Sequence, residues 1–401
     1  MQNSPHPLIL EFLRTTAPIN RERVWINDGE ARQCTLQEGV NLFTSSNYEC
    51  MTADFNRNRI YQTAIQIAAM KDKRRFFEIG AGADAVMTRM ILDVPQPTVV
   101  QSIEGNAMAF EYALQRLQKA GHQPHRWSLS HRLSTEMPIL NAPVDALVQE
   151  LIGFIASREG IVYIMRDVQN RLLKNQPDPP LMIPGATATF FKPTLITTDD
   201  LQYHFMNRRS LFTTSDSILI GMLPLDRVNR HLQSGCLEFI DFTKDLNTQV
   251  QQSHTDAFVF QSETRINSLS LWIWAGFDVN SGHNATTAFP YGCQSLTESE
   301  QKTWQTKLSF SSATGIDGTC TASNWQNYVM LFPGLEPWTM QPGEIMTVKS
   351  DSDMRDLNPF YRFEIRSSSL DKKPIHFQFG SCEFYYKQVI PARRASVHWR
   401  V

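Results

Sequence analysis

Apolar positions along the chain keep two different rhythms, one before about residue 180 and one after it. In YECMTADFNRNRIYQTAIQIAAM (48–70), Met51, Phe55, Ile60, Ala64 and Ile67 recur at spacings near three and four, which predicts an amphipathic helix with one break. RRFFEIGAGADAVMTRMI then reads as a short apolar strand, a glycine-bearing turn and a helix. TVVQSIEG is a second buried strand, MAFEYALQRLQKAG a helix closed by Gly121, and VDALVQEL a third strand. Strands alternating with helices predict a parallel, doubly wound sheet.

The texture changes after PDPPLMIPGATATFF, whose proline cluster (177–184) ends the helical part. CLEFIDF, SLSLWIWAGFDV, NYVMLF, EIMTVKS, YRFEI and IHFQFGSCEFYY alternate, are rich in aromatics and lack a helical period, which predicts an antiparallel sandwich or barrel. Residues 197–233 interrupt these runs with helical character, and 281–320, rich in Gly, Ser, Thr and Asn, read as a long loop or insertion. The first 40 residues show no clear period. The expected organisation is an extension over 1–40, an α/β domain over 41–187 and a β domain over 188–401.

Composition narrows the function classes without naming one. With 401 residues, 42% hydrophobic, 19% charged and a formal net charge of -2, the chain is an ordinary globular protein with room for two or three domains. There is no basic excess to recommend nucleic acid or a membrane surface as partner. The opening MQNSPHPLILEFLRTTAP is broken by Glu11 and Arg14 and does not read as a secretory leader; no window approaches the roughly 18 apolar residues of a membrane span. Six cysteines lie far apart with no CxxC pair, and ten histidines lack metal-ligand spacing. Reduced thiols, a cytoplasmic location and no metal site are therefore expected.

Three stretches carry candidate chemistry. FEIGAGAD puts Glu78, Gly80 and Gly82 on a strand-to-helix turn, where glycines let backbone N–H groups approach a ligand and the helix N-terminus favours its polar head. Such a turn also closes βα units that bind nothing. Glu104 ends the next strand, twenty-four positions after Gly80, near the spacing at which a carboxylate accepts hydrogen bonds from ribose hydroxyls. Nicotinamide dinucleotide and S-adenosylmethionine both fit this pair, because Ala85 is a tolerated substitute for the third glycine of the dinucleotide fingerprint. An acidic residue just before the glycines, Glu78, favours S-adenosylmethionine, whose amino-acid head must be held. Finally, VQELIGFIASREG sets Glu150 and Glu159 nine positions apart around an apolar run. Two carboxylates there are costly to dehydrate unless a cation sits between them.

At these residues the sequence resembles the protein arginine methyltransferase family, over roughly 45–400. QELIGFIASRE is similar to that family's double-E loop, and YECMTADFNRNRIY to its N-terminal helix, with Tyr48, Met51, Asp54 and Arg57 in register. LSTEM falls where the family contacts adenine, which implicates Thr135 and Glu136. LMIPGATATFF resembles the strand leaving the cofactor domain, and CLEFIDF and SNWQNYVMLF resemble barrel strands. The resemblance implies a Rossmann-like, seven-strand-type methyltransferase domain, then an antiparallel β-barrel with an inserted helical dimerisation arm at about 197–233, hence a homodimer. It also implies S-adenosyl-L-methionine as cofactor and methyl transfer to a terminal guanidino nitrogen of arginine, in a protein or as free L-arginine. Arg57 would bind the cofactor's carboxylate, Glu104 its ribose, and Glu150 and Glu159 the guanidinium, a flat cation rich in N–H donors. Met51 and Tyr48 would line the acceptor cleft, and Asn324 and Trp325 would wall the substrate side.

The sequence departs from the family at three places. The third motif glycine is Asp84, the Thr-His-Trp loop reads Ser323-Asn324-Trp325 without its histidine, and the 281–320 insertion has no obvious counterpart. A rival reading is a catalytically inactive, methyltransferase-like subunit that regulates an active paralogue; such a chain is expected to have lost a glutamate or the glycine turn, and both persist. An NAD-dependent oxidoreductase is the third reading.

Overall fold

The computed structural model describes residues 35–41, 43–140, 142–197, 199–200, 232–280, 293, 295–305, 307–311, 327–332 and 337–380, and the backbone of 211–213 and 218–221. Three helices open it: α1 (Leu36–Asn41), α2 (Ser45–Ala53) and α3 (Phe55–Met70). The expected break falls at Asp54, which ends α2 and caps α3 by accepting the Arg57 N–H at 3.0 Å. Tyr61, Ala64, Ile65, Ala68 and Ala69 form the buried face of α3.

Next come β1 (Arg75–Ile79), α4 (Val86–Asp93), β2 (Val99–Glu104), α5 (Ala107–Lys119), β3 (Trp127–His131), β4 (Ala146–Gln149), α6 (Ile161–Asp167) and β5 (Leu181–Ile183). The five strands form one parallel sheet in the order β3-β2-β1-β4-β5, with Glu78 level with Ser102 and Ile79 level with Gln149. Its core runs from Tyr61 and Phe77 through Leu147 and Val148 to Ile161 and Met165. The strands are apolar along their length because helices cover both faces.

The chain leaves this sheet after β5 and enters an antiparallel one at β6 (Ala186–Thr194). There follow β7 (Leu211–Thr213), β8 (Ile218–Gly221), β9 (Gly235–Asp241), β10 (Gln251–Val259), β11 (Thr264–Ile266), β12 (Ser268–Asn280), α7 (Glu298–Gln305), β13 (Lys307–Ser311), β14 (Tyr328–Leu331), β15 (Trp338–Met340), β16 (Ile345–Asp353), β17 (Phe360–Ser367) and β18 (Ile375–Gly380). One sheet runs β7-β8-β14-β12-β6-β9 with β13 also on β12, another β10-β16-β17-β18, and β11 pairs β15. Between them lie Phe191, Leu237, Phe258, Met346, Tyr361 and Phe363.

Three expectations are corrected here. The barrel does not close by backbone pairing among the described residues. At the outer edge of β9, side chains replace a ladder: Asp256 accepts the Cys236 N–H at 2.9 Å, Gln252 accepts from Phe239 N and donates to Phe239 O (2.8 and 2.7 Å), and Gln249 does the same for Asp241 (2.8 and 2.9 Å). The edge is thereby satisfied without a partner strand. Within 197–233, residues 199–200 are helical as expected, whereas 211–213 and 218–221 are strands β7 and β8; 201–210, 214–217 and 222–231 lie outside the described residues. The 281–320 stretch is not all loop, since it holds α7 and β13. No helix among the described residues is long and apolar enough to cross a membrane.

Candidate active site

β1 lies between β2 and β4, so the strand order reverses there, and ligands of doubly wound sheets bind beyond the carboxyl ends at such a point. Gly80 to Gly82 leave β1, Glu104 closes β2 and Glu150 follows β4, so three separate predictions meet at one edge. A cavity of about 340 Å³ opens over it.

The glycine turn needs its glycines. Gly80 and Gly82 have φ of +79° and +66°, in the left-handed region that side chains resist. The Gly80 N–H donates to Ile103 O at 2.9 Å, which turns the chain out of the sheet. The Gly82 N–H donates to Glu104 Oε2 at 2.7 Å, and Glu104 Oε1 accepts from Asn106 N at 2.8 Å. Burial raises the Glu104 carboxyl, and the Asn106, Gly82 and Gly105 N–H groups oppose that rise.

Helix α2 closes the near side. Tyr48 is buried against Gly82, where an added Cβ would stand 3.5 Å from its ring. Burial chiefly, then the charges of Glu104 and Glu159, push its phenol far above the ordinary value, so the ring stays protonated between two acidic groups. Met51 lines the same wall, and its carbonyl accepts from Arg57 Nη2 at 2.6 Å. Arg57, in the first turn of α3, is 3% exposed; it also donates through Nη1 to Glu150 Oε2 at 2.9 Å and through Nη2 to Asn58 Oδ1 at 3.0 Å.

Glu159 lines the cavity from the far end of the double-glutamate loop, its Cγ 3.2 Å from where a Cβ on Gly153 would lie. Burial raises its carboxyl, offset in part by the Arg158 guanidinium. It accepts no hydrogen bond among the described residues. From the β domain comes Tyr328, stacked at 4.0 Å on Phe154, over whose other side the Arg158 guanidinium sits 4.1 Å from the ring centre. Burial pushes the Tyr328 phenol up to about 12, with Arg158 lowering and Glu159 raising it.

Of the residues expected from sequence, Tyr48, Met51, Arg57, Gly80, Gly82, Glu104, Glu150 and Glu159 all line this cavity. Three do not. Glu78, 1% exposed, accepts from the hydroxyls of Thr88 and of Ser102 (2.7 Å) beneath the sheet surface, because its side chain leaves β1 sideways instead of at the open edge. Thr135 and Glu136 stand one turn too far along: Leu133 and Ser134 line the cavity, while Glu136 folds back to accept the Leu133 N–H at 3.1 Å. Asn324 and Trp325 lie outside the described residues. Sequence reasoning missed Phe154, Arg158 and Tyr328, and also α1, whose Leu36, Gly39 and Val40 cover the cavity. Phe154 and Arg158 sat inside the quoted loop and were available as its only aromatic and only cation.

No family model matches the sequence. Two curated relatives, protein arginine N-methyltransferase 7 from Oryza sativa subsp. indica and from subsp. japonica, are each 26% identical over 145 residues, covering 34% of this chain. The match spans about a fifth (20%) of those relatives' length. Among solved structures, the Trypanosoma brucei PRMT1 enzyme–prozyme heterotetrameric complex with AdoHcy aligns with a TM-score of 0.61 at 11% identity, covering 83% of this chain and 96% of that one. Arabidopsis thaliana protein arginine methyltransferase 10, in an open conformation, aligns at 0.60 and 11%, covering 85% and 99%. The chain thus shares its fold, over most of its length, with these two arginine methyltransferase structures, and over about a third of its length it is similar in sequence to the two curated relatives.

Proposed function

We propose that the protein is an S-adenosylmethionine-dependent arginine N-methyltransferase acting on a terminal guanidino nitrogen. The observation that carries this is the convergence of Glu150, Glu159, the Gly80–Gly82 turn and Glu104 on one cavity, although they come from three strand ends. Two carboxylates beside a nucleotide-type turn suit a planar cation held next to a bound cofactor.

The residues present fit that cofactor. Glu104 offers the carboxylate a ribose diol needs, and the Gly80–Gly82 turn has no Cβ to keep an adenosyl group away. Arg57 lines the same wall beside Glu150, where its guanidinium can receive a second carboxylate. When bound, the cofactor supplies an electrophilic methyl group on a sulfonium. Glu150 and Glu159 then act on the acceptor: each accepts N–H groups of the guanidinium, fixing one nitrogen in line and drawing positive charge toward the others. Such alignment with electrostatic preorganisation is worth up to roughly 7–11 kcal/mol. As the methyl carbon–sulfur bond breaks to leave a neutral thioether, the methylated nitrogen would hold a surplus proton on an already cationic group; that proton is strongly acidic and can pass to a carboxylate of the pair or to water without a strong base.

The acceptor is arginine in a protein or free L-arginine. A homodimer and a cytoplasmic location complete the reading, the first from the place of the 197–233 segment in the sequence and the second from cysteines spread along the sequence with no CxxC pair. An inactive regulatory subunit is disfavoured because both glutamates and the glycine turn persist at the cavity. Incubation with isotopically labelled S-adenosylmethionine and either free arginine or a Gly-Arg-rich peptide, followed by mass analysis, tests the proposal. Labelled methylarginine is expected; cofactor binding without any methyl transfer to either acceptor would leave the regulatory subunit as the better reading.

A further inference from the structure

The double-glutamate loop is gripped from behind by the β domain, away from the cavity. The Ser157 N–H donates to Glu238 Oε1 at 2.8 Å, and the Ser157 hydroxyl donates to Glu238 Oε2. Thr189 Oγ1 donates to Glu238 Oε1 at 2.9 Å while accepting the Ala156 N–H at 2.8 Å. The Tyr361 hydroxyl stands 2.8 Å from Ser157 Oγ. Three strands supply these groups, β6 (Thr189), β9 (Glu238) and β17 (Tyr361). One set of proton directions satisfies them all: Tyr361 donates to Ser157, Ser157 and Thr189 donate to Glu238, and every donor ends on one carboxylate.

Glu238 is fully buried and does not line the cavity. Burying a carboxylate is costly, and an apolar residue of similar size would serve the core as well or better. What the carboxylate adds is direction, since a satisfied buried network admits one geometry where apolar packing admits several. Within the loop's own domain, the tethers are at its start: Tyr61 donates to Gln149 O at 3.0 Å, and Leu151 N to Gln149 Oε1 at 3.1 Å. Nearer Glu159 the backbone bonds are internal to the loop, Arg158 N donating to Ile155 O and Gly160 N to Ser157 O, both at 2.9 Å.

We propose that Glu238 is a positioning residue for methyl transfer: through Ala156 and Ser157 it sets the height of the loop, so that Glu159 faces Glu150 across the cavity. This rests on the methyltransferase reading above. Displacements of about 1 Å at a reacting pair can cost on the order of 10²-fold in rate. The same network couples the β domain, whose Tyr328 lines the acceptor side, to the acidic pair.

The test compares Glu238→Ala with Glu238→Gln in the full chain. Glutamine can rebuild the network with two bonds reversed, its amide donating to Ser157 Oγ and Ser157 turning its proton to Tyr361. Alanine is expected to lower kcat about 100-fold with cofactor Kd within about threefold, and to speed amide hydrogen exchange across 150–160 about tenfold with the parallel sheet unchanged. Glutamine is expected to stay within about fivefold of the parent in both readouts. Should the alanine variant fail to fold, Ser157→Ala, which removes only the hydroxyl bridge, is expected to show the same exchange change at about a third of its size. Wild-type kcat in either truncation, or lost kcat without faster loop exchange, overturns the proposal. A parent protein that transfers no methyl group would overturn the enzymatic reading instead, and the exchange comparison would still decide whether Glu238 holds the loop.

Discussion

The Arg57 guanidinium reaches Glu150 at 2.9 Å, so the helix expected to hold the cofactor's carboxylate is joined directly to the first acidic residue of the proposed acceptor site. Side chains 93 positions apart in sequence thus form one buried ion pair, 3% and 12% exposed. Arg57 also bonds Met51 O and Asn58, which fixes its plane. On the proposed reading, cofactor and acceptor subsites share a wall, and substitutions on the two sides of this pair are expected to differ in what they damage.

Glu150→Gln keeps an acceptor oxygen for Arg57 but removes the charge. The fold and cofactor affinity are expected to survive, with Kd within about threefold, while kcat falls by roughly 10²–10³. Isothermal titration with the cofactor beside a methyl-transfer assay measures both. Unchanged turnover would contradict the role given to Glu150.

Arg57→Ala removes a guanidinium and leaves Glu150 partly buried without it. Breaking a buried pair in this way costs about 3–5 kcal/mol, so a lowered Tm and at least about tenfold weaker cofactor binding are expected. Arg57→Lys restores charge but not the fork, and is expected to recover stability more than affinity. Equal recovery of both would show that charge alone matters here.

Burial raises the Glu159 carboxyl above the ordinary carboxylate range. The ionised form is the one that grips a guanidinium, so activity is expected to be full above that raised value and to fall as pH drops through it. The acid limb of kcat/KM, which reports the free enzyme, should lie above the usual glutamate titration, and Glu159→Gln should lower the plateau and abolish that limb. A limb at the ordinary glutamate position in the parent protein would contradict this environment for Glu159.

How far the sequence reached depended on how local each feature was. The turn at Gly80 and Gly82, a single break in the first long helix and the spacing of Glu150 and Glu159 are each decided within a dozen residues; the structure puts the break at Asp54 and the glycines and both glutamates on one cavity. Glu78 misled because its acidity was legible while its direction was not; only the packing of Thr88 and Ser102 against it shows that it turns inward. Helix α7 left a readable mark that was passed over: Thr297 and Glu300 form a capping box, Thr297 N donating to Glu300 Oε2 at 3.0 Å and Glu300 N to Thr297 Oγ1 at 3.2 Å. Tyr328 and Phe154, or Glu238 and Ser157, meet only because two domains pack, and no periodicity encodes that.

Gly160 shows how tight that packing is. Its φ is +77°, and an added Cβ would stand 2.4 Å from Leu357 Cδ1 and 2.8 Å from the Leu357 carbonyl. A side chain could yield, but the backbone oxygen cannot move without shifting the loop. Gly160→Ala is expected to destabilise by about 2 kcal/mol or more, from strain and overpacking together, and to lower kcat because Glu159 is adjacent. Thermal unfolding and turnover measured together check this; full stability would mean that the contact is slack.

Phe154 connects the acidic loop to the β domain through a stack in which each member constrains the next: Arg158 over one side of the ring and Tyr328 against it at 4.0 Å. An arginine stem entering between Glu150 and Glu159 would pass these rings, and aromatic walls bind flat cations and their aliphatic stems through both area and the ring quadrupole. Phe154→Ala removes that wall and frees Arg158 to swing toward Glu159, where its guanidinium would compete with the acceptor's. KM for the acceptor is expected to rise about tenfold or more, with cofactor Kd unchanged, because the loss lies on the acceptor side of the Arg57–Glu150 pair. Phe154→Tyr keeps the ring and should stay near the parent value. Steady-state kinetics with the acceptor varied at saturating cofactor distinguish the two; an effect confined to cofactor binding would place the stack on the wrong side of the cavity.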